Sequence, residues 1–145
     1  MRVLEGDIIK IAKDPRVGVL VHGCNCFCTM GAGLAKQIKL AFPQAYEQDL
    51  KTKKGSRDKL GKYSGVVYND LIVINAYTQY NYGNGVQVDY DAIRKVFKKL
   101  KKDFGDKTII YPRIGAGLGG GNWDIISTII DCELEGCDHY LVNLI

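Results

Sequence analysis

Two glycine-rich segments of this chain have the residue types and the spacing needed to hold phosphate groups. They span residues 21–35 and 112–123, and each follows a short apolar run and precedes a helical pattern. The first backbone N–H groups of a helix lack partners within that helix and point outward, so they attract anions. Glycine has no Cβ to keep a phosphate away from them. Together the two segments predict a site for one diphosphate.

Three polar side chains near predicted strand ends are candidates for further chemistry. His22 could be an acid/base group or a phosphate contact, because histidine titrates near neutral pH, or it could be a buried core histidine. Asn25 could bind a sugar hydroxyl or only stabilise its turn. Asp7 could accept a hydrogen bond from an exocyclic base amine or only cap the following helix.

Composition limits the class of protein. At 145 residues one domain is expected, spanning 1–145, and no run of 18 apolar residues suggests a membrane span. No signal-peptide pattern begins the chain, so we expect a cytoplasmic protein with no membrane partner. The net charge of +4 is mild, and the lysines at 98–102 are typical of a solvated helix face rather than a nucleic-acid module.

The cysteines favour reduced thiols over a metal site. The chain has five, and Cys24, Cys26 and Cys28 alternate within the first glycine-rich segment. Zinc sites usually space their cysteines by two to four residues and need a second cluster, which this sequence lacks. We therefore expect neither a metal nor a cofactor.

Strand and helix patterns alternate along the chain. Predicted strands lie at 3–4, 17–21, 62–68, 71–76, 108–111 and 140–144, and predicted helices lie at 8–13, 34–42, 45–54, 93–104 and 123–130. This order predicts an α/β protein with helices on both faces of the sheet, and in such sheets ligands bind at the carboxyl ends of the strands. The segment 115–120 matches G-x-G-x-x-G, but too few elements follow it for a dinucleotide-binding fold of the Rossmann type.

The ordered set of motifs resembles the macrodomain family, whose members bind ADP-ribose. The resemblance rests on Gly6-Asp7-Ile8, on Asn25, on Met30-Gly31-Ala32-Gly33-Leu34-Ala35 and on Pro112-Arg113-Ile114-Gly115-Ala116-Gly117-Leu118. It implies a three-layer α/β/α sandwich with a central mixed sheet. The branch that looks most similar contains the yeast-type ADP-ribose-1″-phosphate phosphatases and the terminal ADP-ribose protein glycohydrolases.

The resemblance also implies roles for individual residues. Asp7 and Ile8 would bind the adenine, and Asn25 and Thr78 would lie at the distal ribose. The diphosphate would lie between two groups of loop residues, which are Gly31, Ala32, Gly33 and Leu34 in the first loop and Gly115, Ala116, Gly117, Leu118 and Gly119 in the second.

Two departures from the family pattern shape the functional hypothesis. The glycohydrolase members carry a lysine directly after the threonine and an acidic residue after the second loop's leucine, whereas this chain has Gln79 and Gly119. Glutamine cannot form a Schiff base and glycine has no carboxylate. By contrast, the segment from His22 to Asn25 resembles the phosphatase members.

We therefore predict a phosphatase of ADP-ribose 1″-phosphate in which His22 and Asn25 are catalytic. One alternative is a mono-ADP-ribosyl hydrolase that acts on modified protein or nucleic acid through a ligand-positioned water. Another is a non-catalytic ADP-ribose reader. We expect a monomer.

Overall fold

The computed structural model describes residues 1–83, 85–117 and 119–144. Its strands are β1 (Arg2–Glu5), β2 (Val19–Cys24), β3 (Tyr63–Tyr68), β4 (Leu71–Tyr77), β5 (Ile109–Tyr111) and β6 (His139–Asn143). Its α-helices are α1 (Ile8–Ala12), α2 (Gly33–Ala41), α3 (Pro43–Leu50), α4 (Tyr90–Phe104) and α5 (Trp123–Glu133). A 3-10 turn covers Arg57–Lys59.

The six strands form one mixed sheet in the order β1-β6-β5-β2-β4-β3. The pairs β1–β6, β6–β5, β5–β2 and β2–β4 are parallel, and the β3–β4 hairpin is antiparallel. The central strands β2 and β4 are almost continuously buried, as expected for strands covered on both faces. Because β2 and β5 are parallel neighbours, the loops that follow them lie at the same edge of the sheet.

Helices cover both faces of the sheet, which confirms the predicted three-layer sandwich. On one face α4 and α5 bury an apolar cluster that includes Val21, Phe97 and Ile126. On the other face α1, α2 and α3 bury a second cluster that includes Leu20 and Ile38. No helix in the described ranges is long and apolar enough to cross a membrane.

Two boundaries differ from the sequence prediction. Strand β2 begins at Val19 and continues to Cys24, so His22 lies within the strand rather than at its end. Pro43 ends α2 as predicted, but it is also the first residue of α3. Proline is well suited to this position because the first helical N–H has no partner within the helix.

Candidate functional site

The first loop presents backbone N–H groups at the start of α2. Its N-cap residue, Ala32, offers no side-chain hydrogen bond to the helix. The amides of Gly33, Leu34 and Ala35 make no hydrogen bond to any residue that the structure describes. Gly31, Ala32 and Gly33 are exposed. This end of α2 can therefore accept an anion, helped by the partial positive charge of the helix N-terminus.

The second loop follows β5 and is held by its own backbone. The amide of Gly121 donates to Gly115 O at 2.7 Å, and Gly119 O accepts from the amides of Gln87 and Val88. Gly115 has a φ of +76°. The amides of Gly115, Gly117 and Gly119 make no hydrogen bond to residues in the described ranges. Gly117 is exposed and Gly115 is half-buried, so their amides are candidate donors to a second phosphate. Gly119 is buried, and the expected ligand residue Leu118 lies outside those ranges.

Asp7 lies at the exit of β1, on the same edge of the sheet. Its Oδ1 accepts hydrogen bonds from the amides of Ile9 at 2.9 Å and Lys10 at 3.4 Å, so it is the N-cap of α1. Asp7 thus caps α1, as the sequence pattern allowed. The side chain is exposed, and Oδ2 accepts no hydrogen bond from a described residue, which leaves it available to an adenine amine. Ile8 is buried beside it.

Asn25 organises the turn that precedes the first loop. Its Oδ1 accepts a hydrogen bond from the amide of Phe27 at 2.8 Å, and its Nδ2 donates to Thr29 Oγ1 at 2.7 Å. This is the turn-stabilising alternative. The side chain is half-buried, so a ligand that reached it would compete with Thr29 for the amide.

Thr78 follows β4 and is fully buried, with a hydroxyl that has no hydrogen-bond partner among the described residues. A Cβ at Gly23 would come within 2.8 Å of this hydroxyl. The absence of a side chain at Gly23 therefore allows Thr78 to pack against β2. Thr78 is 0% exposed in this structure, so its side chain does not reach an open site at the distal ribose.

His22 is 1% exposed and belongs to a buried hydrogen-bond network. Its Nε2 lies 2.7 Å from Asn75 Oδ1. Asn75 Nδ2 donates to Ala45 O and to Ser64 Oγ, and since a carbonyl only accepts, Oδ1 must be the atom that faces the histidine. The neutral ring thus carries its proton on Nε2. Burial lowers the pKa of His22 to about 4, against a smaller opposing effect of the Asn75 hydrogen bond. These observations favour the core-histidine alternative.

The network continues through charged residues that sequence reasoning missed. Tyr77 OH donates to Asp49 Oδ1 at 2.7 Å and bonds Ser64. Lys59 is 7% exposed, and its Nζ donates to Cys26 O at 3.0 Å. Asp49 and Lys59 lie in polar, lysine-rich segments, and no pattern there distinguishes a buried charge from a solvated one. Lys59 fastens the β2–α2 connection to the 3-10 turn, and Asp49 joins α3 to β4.

The three neighbouring cysteines contribute to this interior. Cys24, Cys26 and Cys28 are buried free thiols, and burial raises the pKa of Cys24 and of Cys26. Within the described ranges, no group of three or more histidine, cysteine, aspartate or glutamate side chains is placed to hold a metal ion.

Gln79 and Gly119 lie side by side. A Cβ built at position 119 would be 3.1 Å from Gln79 Oε1 and 2.7 Å from Gly115 O. The two positions at which the glycohydrolase members hold a lysine and an acidic residue are therefore neighbours here, occupied by an amide and by no side chain. An acidic residue at 119 would also require the second loop to move.

A six-stranded α/β/α sandwich with two amide-lined loops at adjacent strand ends has the features of an ADP-ribose-binding domain. The model of the Macro domain family matches residues 21–130, and the chain belongs to that family. The chain is 40% identical over 143 residues to an uncharacterized 17.5 kDa protein of Enterobacteria phage T4, covering 90% of this chain and 88% of the phage protein.

Other relatives are more distant. The DNA ADP-ribosyl glycohydrolase of Thermus aquaticus is 23% identical over 144 residues, which cover 95% of this chain but only 39% of that protein. Among solved structures, Thermosipho africanus DarTG in complex with ADP-ribose is similar with a TM-score of 0.73 at 20% identity, over 97% of this chain and 40% of that one. The family resemblance noted from the sequence is thus confirmed.

Proposed function

We propose that this chain binds ADP-ribose between its two amide-lined loops and hydrolyses ADP-ribose derivatives at the distal ribose. The observation that carries the proposal is the pair of amide sets without partners in the described ranges, at 33–35 and at Gly115 and Gly117, which follow the neighbouring strands β2 and β5. One diphosphate bridging them would satisfy donors from both loops. The exposed oxygen of Asp7 would then receive the adenine amine.

The first substrate is ADP-ribose 1″-phosphate, which would yield ADP-ribose and phosphate. Water would attack the terminal phosphorus and the ribose oxygen would leave. Fixed backbone donors can stabilise the charge that develops on the phosphoryl group, an effect often worth about 3–4 kcal/mol per donor. This route needs neither a lysine nucleophile nor a carboxylate, which agrees with Gln79 and Gly119.

The buried network changes the role proposed for His22. A neutral ring whose Nε2 proton is engaged by Asn75 is poorly placed to exchange protons with a ligand. We assign His22 to positioning of the β2 exit, and Asn25 to orientation of the distal ribose after it releases Thr29. A water held by the ligand itself would be the nucleophile.

A second candidate is removal of an ADP-ribosyl group from nucleic acid or protein. Similarity to the Thermus aquaticus enzyme supports it, although Gln79 and Gly119 argue against the lysine route. A ligand-positioned water is again the nucleophile.

Calorimetry and three parallel turnover assays test these proposals. We expect ADP-ribose to bind at one site per chain, and phosphate to be released from ADP-ribose 1″-phosphate. An ADP-ribosylated oligonucleotide and a protein ADP-ribosylated on aspartate or glutamate are the competing substrates. Consumption of either one alone would favour the second candidate, and binding without any turnover would make the chain a reader. Absence of ADP-ribose binding would contradict the proposal as a whole.

A further inference from the structure

Arg113 and Asn143 lie at the part of the sheet edge between Asp7 and the second loop. Arg113 comes two residues after β5, and Asn143 is the last residue of β6. In the sheet, β6 lies between β1 and β5 and is parallel to both. The exits of β1 and β5 are therefore two strand spacings apart, or about 10 Å, with Asn143 between them. A nucleotide with its base at Asp7 and its diphosphate at the loops would cross this part of the edge.

Asn143 joins the two strand exits through both its backbone and its side chain. Its carbonyl oxygen accepts a hydrogen bond from the amide of Gly6 at 2.8 Å, and Gly6 directly precedes Asp7. Its Oδ1 accepts a hydrogen bond from Nε of Arg113 at 3.0 Å. The backbone of Arg113 is also fixed, because its carbonyl oxygen accepts from the amide of Ala116 in the second loop. Asn143 thus holds the guanidinium at a defined place between Asp7 and the second loop.

The guanidinium of Arg113 is oriented but has no anionic partner among the described residues. Its carbon lies 5.8 Å from the ring centroid of Trp123, the first residue of α5. No carboxylate of a described residue forms an ion pair with it, although the acids Asp7 and Asp124 follow Gly6 and Trp123 in the chain. The side chain is exposed, and its hydrogen bond to Asn143 uses Nε alone. Its terminal amino groups can therefore donate in parallel to an incoming phosphate.

The covalent structure of ADP-ribose determines which of its groups would meet Arg113. The adenosine ribose carries the base at C1′ and the diphosphate at C5′, so it must bridge the gap between Asp7 and the loops. Its remaining polar groups are the hydroxyls at C2′ and C3′. In dinucleotide-binding sheets a carboxylate binds the free 2′-hydroxyl, whereas an arginine accommodates a phosphate on that oxygen. A guanidinium without a carboxylate at this place therefore favours a 2′-phosphate.

We infer that Arg113 makes the site selective for ADP-ribose derivatives that carry a phosphate on the 2′ oxygen of the adenosine ribose. This inference rests on the proposed ADP-ribose site and adds the substrate class. Such compounds contain the ADP-ribosyl part of a 2′-phosphorylated nicotinamide dinucleotide. The 2′-phosphate belongs to the adenosine end of the ligand, away from the distal ribose, so it is recognised and not cleaved. Arg113 determines the specificity, and Asn143 positions it.

Calorimetry with ADP-ribose and with ADP-ribose 2′-phosphate tests the inference. We expect wild type to bind the 2′-phosphate form about tenfold more tightly, because hydrogen bonds to charged groups contribute more than neutral ones. Arg113→Gln should reduce this preference to less than about twofold and should change the affinity for ADP-ribose itself by less than about twofold. Arg113→Lys keeps the charge but loses the planar fork, so it should retain part of the preference.

Arg2→Gln is the matched control. Arg2 is also exposed and hydrogen-bonded, and its guanidinium carbon lies 5.1 Å from the ring centroid of Tyr140. It begins β1, however, at the opposite end of that strand from Asp7. The variant removes the same charge and should keep the wild-type preference. An equal loss of preference in Arg2→Gln and Arg113→Gln would reduce the effect to net charge and overturn the inference.

The comparison of the two ligands separates this inference from the proposed function. Equal wild-type affinity for both ligands would overturn the inference and leave the proposed function intact. An equal loss of affinity for both ligands in Arg113→Gln would also overturn it, since the guanidinium would then contact the diphosphate that the ligands share. If wild type binds neither ligand, the proposed function is wrong and the inference fails with it.

Discussion

The two glycine-rich loops carry the same predicted function but depend on glycine for different reasons. In the first loop, a Cβ at Gly31 would meet nothing within 4 Å. In the second, a Cβ at Gly115 would lie 2.5 Å from Val88 Cγ2, and one at Gly121 would lie 2.6 Å from Val88 Cγ1. The first loop is open around Gly31, whereas parts of the second are packed against the apolar core.

The side chains that pack behind the two loops also differ, because one set is polar and the other is apolar. Behind the first loop lies the polar network of His22, Asn75, Ser64 and Tyr77, whose groups satisfy one another in the interior. Behind the second lie the apolar side chains of α5 and Val88. Glycine content therefore shows where amides are exposed, but not which loop tolerates change. We therefore expect acid to destabilise the support behind the first loop, and added side-chain volume to destabilise the second loop.

The largest effect is expected for Gly115→Ala in the second loop. The new methyl would clash with Val88, and its φ of +76° is unfavourable for alanine. Overpacking and the left-handed conformation together should cost about 3 kcal/mol of unfolding free energy. ADP-ribose affinity should fall with it, since the loop amides must move. Denaturant unfolding and calorimetry measure both.

Gly117→Ala is the matched control from the same loop. A Cβ at Gly117 would meet nothing within 4 Å, so stability should change by less than about 0.5 kcal/mol. If the two variants unfold alike, the steric account of the second loop is wrong. A partial recovery in the double variant with Val88→Ala would identify Val88 as the clashing partner.

The next largest effect is on the stability of the network behind the first loop, and it appears only at acidic pH. Because burial lowers the pKa of His22 from 6.5 to about 4, the unfolded chain binds more protons between these values. The contribution to stability is complete above pH 6.5 and is lost as the pH falls toward 4. We expect His22→Gln to remove a slope of roughly 1.4 kcal/mol per pH unit within this window.

Subtracting the pH profile of unfolding free energy of His22→Gln from that of wild type isolates the contribution of His22 from those of other titrating groups. Burial also lowers the pKa of His139, but that residue is present in both proteins and its contribution cancels. The glutamine amide can still donate to Asn75 Oδ1. Parallel profiles for wild type and variant would show that His22 is not a buried neutral histidine and would restore it as a candidate acid/base group.

The sequence predicted the parts of the site that depend on backbone pattern. Apolar runs, the Asp7 cap and the two glycine-rich segments placed the loops at the ends of β2 and β5, because strand and helix periodicity is a local property. It did not reveal that His22 continues β2 inward, or that Asp49 and Lys59 are buried. Those outcomes depend on which side chains from distant segments meet across the sheet, and a single sequence carries no pattern for such partners.

The smallest effect is expected at Gly33 in the first loop, with Gly31 as its control. Gly33 has a φ of +58° at the start of α2, so Gly33→Ala should cost about 1 kcal/mol of stability and should turn the free amides of α2 away from the phosphate. Gly31→Ala lacks both penalties and should retain wild-type stability. Its methyl stands in open space beside those amides, so any loss of ADP-ribose affinity would be steric. A Gly31→Ala variant that loses stability as much as Gly33→Ala would mean that the first loop is packed like the second, and the contrast between them would disappear.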